Sequence, residues 1–97
     1  MQNVILAARE TAVYLRQLQQ TGQADHAVER QLATLWTRLG FELDDLGLNK
    51  LAKRCHISGK NWAEPGFYDA HFLQQADISL QTMEKLAEQI LIKLKQK

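Results

Sequence analysis

Between Val4 and Leu18 the apolar residues Val4, Ile5, Ala8, Ala12, Leu15 and Leu18 fall on one side of a helix turning about 100° per residue, while Arg9, Arg16 and Gln20 fall opposite. This pattern predicts an amphipathic helix. Gly22 follows it, as a glycine free to take positive φ at a helix end would, and Asp25 is placed to cap a second helix. So short a turn predicts an antiparallel hairpin. The second helix carries Val28, Leu32, Leu35, Trp36 and Leu39, with Gly40 expected to stop it and Trp36 expected at the centre of the core. A third is expected to start at Asp44 or Asp45 and to contribute Leu48, Leu51, Ala52 and Cys55, its first turn weakened at Gly47 by up to about 1 kcal/mol.

The last helix has the clearest start. Ser79 is its N-cap, and Ile78 and Met83 occupy the two positions of a hydrophobic staple. Leu80, Met83, Leu86, Ala87, Ile90, Leu91 and Leu94 form its stripe, and Lys93, Lys95 and Lys97 at its end complement the negative pole of the helix dipole.

Between Ser58 and Ile78 lie about twenty residues without long periodicity, and connections of that length usually serve function. Trp62, Phe67, Tyr68, Phe72 and Leu73 make this stretch too apolar for a solvated linker. Glu64-Pro65-Gly66 reads as a tight turn, and residues 68–75 suffice for a short additional helix. The expected fold is therefore all-α. It is a single helical domain over residues 1–97, an up-down bundle of four helices, or five if residues 68–75 fold, with a long aromatic-rich connection before the last.

Composition narrows the function classes. A chain of 97 residues with net charge +1 has one core and no global field to draw in nucleic acid or an anionic membrane. The single Cys55 cannot form an internal disulfide, which fits a reducing, cytoplasmic compartment. No apolar run approaches the roughly 18 residues of a membrane helix, and the opening MQNVILAARE lacks the basic start of an export signal.

Candidate chemistry gathers between residues 54 and 72. The metal-ligand types Cys55, His56, Asp69, His71 and His26 lack the paired short spacings of a structural zinc site, so neither metal nor cofactor is expected. A Cys55/His71 nucleophile pair is permitted by residue type, but a lone Cys on an apolar stripe reads as a small core residue. With no phosphate-cradling glycine loop and no convergent carboxylate pair, no enzymatic activity is expected.

Two surface readings remain. Trp62, Phe67 and Tyr68, with the neighbouring Lys53, Arg54 and Lys60, would make a protein-binding surface; alternatively the rings close over the end of the bundle as a flap or line a small-ligand site. Lys50, Lys53, Arg54 and Lys60 also fall in a stretch, Leu46 to Ala63, that holds no acid, which makes a nucleic-acid surface the second reading. Within it LAKRCHIS resembles the opening of a helix-turn-helix, which implies that Ala52 admits a close helix and that Ile57-Ser58 turn into a recognition helix. Finally, Leu6 and Val13 lie behind the main stripe of the first helix and Ile92 behind that of the last. They form a homodimer seam, pack under the long connection, or stay exposed.

Overall fold

The computed structural model describes the backbone of residues 2–95 and the side chains of residues 2–93. Leu94, Lys95 and Lys97, which complete the expected stripe and cationic end of the last helix, lie outside the described side chains. The described residues form an all-helical fold: α1 (Gln2–Thr21), α2 (His26–Asp45), α3 (Asn49–Ala63), α4 (Ala70–Ala76) and α5 (Leu80–Lys95), four long helices and one of 7 residues among them.

α1 ends at Gly22 (φ +67°), and Asp25 caps α2 by accepting from the Ala27 and Val28 amides. The buried face of α1 is rotated from the expected stripe: Val4, Ala7, Ala8, Thr11 and Tyr14 are buried, whereas Leu15 stays 40% exposed. Two polar groups make that rotation tolerable, because each finds partners inside. The Thr11 hydroxyl donates to the Ala7 carbonyl (2.8 Å) and accepts from Trp36 Nε1 (3.0 Å). Tyr14 donates to Glu29 (2.7 Å) and accepts from the Asp25 amide (3.0 Å). Burial raises the Tyr14 phenol above its ordinary pKa, opposed by the Asp25 amide and reinforced by the Glu29 carboxylate. These pairs, 11 with 36 and 14 with 29, run α1 and α2 antiparallel.

Gly40 does not stop α2, which continues to Asp45. Gly40 is buried where α3 crosses, and a Cβ there would stand 2.7 Å from the His56 ring. Gly59 answers from α3: its Cβ would fall 2.9 Å from the Thr37 backbone nitrogen and 3.2 Å from the Ala33 carbonyl. The two glycines let α2 and α3 run antiparallel at close range, the most extensive helix pair of the chain. The true stop is Gly47 (φ +74°). Its amide bonds the Asp44 carbonyl and the Leu48 amide reaches back to Leu43, both 3.0 Å, the bond pair that closes a Schellman end. The third helix therefore starts at Asn49 rather than at Asp44 or Asp45.

α3 is also longer than expected. It runs unbroken to Ala63 because Ile57, Ser58 and Gly59 are buried. The long connection shrinks to residues 64–69, where the Phe67 amide bonds the Glu64 carbonyl (3.0 Å) around Gly66 (φ +94°). Asp69 caps α4, and Asp77 ends it in the left-handed region (φ 51°). Ser79 accepts from the Thr82 amide (3.3 Å) at the start of α5, with Met83 fully buried and Ile78 packed on the core. Trp36 is fully enclosed in that core, with Leu32, Leu39, Leu51, Ala52 and Cys55 among its buried members.

Candidate protein-docking surface

The turn at Pro65-Gly66 brings the chain back beside the end of α3. Phe67 returns to Lys60, whose Nζ lies 4.6 Å from the ring centre and 2.6 Å from the Glu64 carboxylate. Asp69, directly after Tyr68, accepts from the Phe72 amide (2.7 Å) and so starts α4 at Ala70. Tyr68 and Phe72, four residues apart, stack at 4.7 Å and 11°, and Phe67 meets Tyr68 edge-on at 5.0 Å. Phe67 is 59% exposed and Phe72 41%, Tyr68 is half-buried, and α4 buries none of its own residues. The three rings therefore rest on one another, with the Lys60 ammonium over Phe67.

The structure divides the remaining residues of the expected surface. Trp62 is half-buried against the core, edge-on to Tyr14 at 5.9 Å. Lys53 is exposed on the same side of α3 as Lys60, seven residues and about 10 Å away along the axis. Arg54 spans a junction: Nε donates to the Asp77 carbonyl and Nη1 to the Lys50 carbonyl, each at 3.1 Å. Lys50 is exposed. Of the four cations proposed to meet nucleic acid, one is thus tied to backbone and another to Glu64.

No turn follows Ala52. α3 passes straight through His56, Ile57 and Ser58, so the helix-turn-helix expectation fails, because Ile57 and Ser58 bury themselves as part of a continuous helix. His56 bonds Asp44 (2.7 Å) and sits edge-on to Phe41 (4.9 Å). Cys55 is fully buried, and burial pushes its thiol up to about 12. His26 lies 3.3 Å from Glu29, and His71 is exposed on α4. Among the described residues no three His, Cys, Asp or Glu side chains converge as metal ligands would. Leu6 (57%), Val13 (47%) and Ile92 (54%) are all exposed, which removes packing under the connection as their role. No described helix is long and apolar enough to cross a membrane.

Sequence reading placed the aromatics but not their mutual stacking. The usable signal was Tyr68 and Phe72 at i and i+4, on either side of an Asp able to cap a helix. No family model, curated protein or solved structure matches the chain.

Proposed function

We propose that this chain is a non-enzymatic, cytoplasmic interaction module, an up-down bundle working as a homodimer, that holds a protein partner on Phe67, Tyr68 and Phe72. Lys60 and Lys53 form the cationic rim of that surface, and Trp62 ties the end of α3 beneath it to the core. One observation carries this reading: three large rings, Phe67 and Tyr68 in the connection and Phe72 on α4, cluster together outside the core, and α4 contributes nothing to that core. Solvent-facing aromatic area is costly to leave wet, and rigid aromatic anchors with few rotatable bonds are what protein interfaces favour. A photo-crosslinking residue at position 72, tested in cells, is expected to trap a discrete protein adduct. The same residue at the exposed position 81 on α5 is expected to trap none. Equal labelling at both positions contradicts the proposal.

The nucleic-acid reading, through Lys50, Lys53, Arg54 and Lys60, is the weaker one. Arg54 and Lys60 are engaged within the chain, and Glu64, Asp69 and Asp77 bring negative charge to the same region. Its mark would be a mobility shift that fades steeply with salt as counterions are released.

A further inference from the structure

α1 and α2 share 20-residue lengths but do not close against each other over their whole outer side. A groove of about 530 Å³ and its continuation of about 280 Å³ run between them, joined at Glu10, Leu35 and Arg38. Leu6 lines one end and Val28 the other; exposed Val13, outside the lining itself, follows Leu6 by seven residues, nearly two turns, and so falls on the same side of α1. The charged residues along this groove are Glu10 and Glu42 against Arg30 and Arg38, two of each sign, all exposed. Among the described residues, none of the four forms an ion pair within the chain.

We propose that this groove is a two-fold seam that docks a second copy of the same chain. The proposal rests on the self-association half of the function proposed above and makes no use of its aromatic surface. An isologous interface brings the same patch to itself, so the patch must be complementary to its own image. An apolar groove with balanced, unpaired opposite charges meets that condition. A patch of one sign would repel its copy. With the symmetry axis passing near the shared centre of the groove, Glu10 of one copy faces Arg38 of the other, twice, while Leu6 and Val13 cover the apolar floor around Leu35. Two helices of this length side by side offer a face of about 30 by 20 Å, so full contact buries roughly 1,200 Å² in total, at the lower bound of a specific interface. The dimer is accordingly reversible, and Ile92 on α5 takes no part in it.

Sedimentation equilibrium of the full chain over about 1 to 500 µM reads the result directly, since dimerisation is concentration-dependent. The expected outcome is a monomer–dimer equilibrium weakened at least about tenfold by E10R or R38E alone and brought back to within about threefold of the wild type by the double swap. L6S weakens it without altering charge, which guards against a charge variant that misfolds. I92S and the pair F67S/F72S leave it unchanged, the latter separating this seam from the aromatic surface. A chain that stays monomeric throughout, a dimer indifferent to E10R, R38E and L6S, a dimer lost on I92S, or a double swap that fails to restore association each overturns the seam.

Discussion

Gly40 and Gly59 set how closely α2 and α3 approach, and a methyl at Gly59 meets backbone that cannot move aside. G59A therefore gains roughly 1 kcal/mol of helix propensity and loses more to overpacking, whose cost is about 1–3 kcal/mol. A net fall in Tm of several degrees in thermal unfolding is the expected result. Thr11 acts through one atom. T11V keeps the shape and leaves the enclosed Trp36 indole N–H without a partner, at a cost of about 1–3 kcal/mol in urea unfolding, while T21V, at an exposed hydroxyl, costs close to nothing. Cys55, with its thiol pushed up to about 12, should resist Ellman's reagent at pH 8 in the native chain and react once urea unfolds it. At this scale the sequence was least legible. Hydrophobicity ranks Leu15 above Thr11 and Tyr14, yet the latter two are buried, because hydrogen bonds to residues distant in sequence satisfy them. Periodicity within one helix carries no information about those partners.

At the scale of elements, the junction of α4 and α5 turns on Asp77. Its carboxylate accepts from Thr82 (2.8 Å) and Ser79 (2.9 Å), bonds that hold it below the usual carboxylate range. A group with a depressed folded pKa contributes stability above its unfolded value, near 3.9, and loses it as pH falls through the folded one. The acid limb of the stability curve should therefore flatten in D77N, measured by unfolding midpoints between pH 5 and pH 2. Hydrogen exchange should rank the helices too: amides of α4, which buries no side chain, should exchange well before those of α2 and α3. The caps at Asp25 and Ser79 and the turn at Gly66 were readable from residue type, since each depends on chemistry within three or four residues. Gly40 and Gly59 were not. A glycine that ends a helix and a glycine that lets another helix close in look alike until the crossing helix is placed, so α2 ran five residues past its expected stop at Gly40, and α3 ran on past Ser58 into the stretch expected to be connection.

As a whole, the chain is elongated, 46 × 24 × 21 Å, with the core along the four long helices and the aromatic cluster outside it. On the function proposed above, stability and recognition therefore reside in different parts of the molecule. The sequence showed that residues 62–72 must lay rings on something, but whether on the body or on another molecule depended on where α3 ended. Trp62 went inward and Phe67 and Phe72 outward. The most direct test pairs two readings on one variant, F67S/F72S: its unfolding midpoint, and the set of proteins it retains from extract beside the wild type. The expected result is an unchanged midpoint with loss of a partner that the wild type holds. A marked fall in the midpoint would make the cluster part of the packing, and an unchanged set of partners would leave it without the role assigned to it.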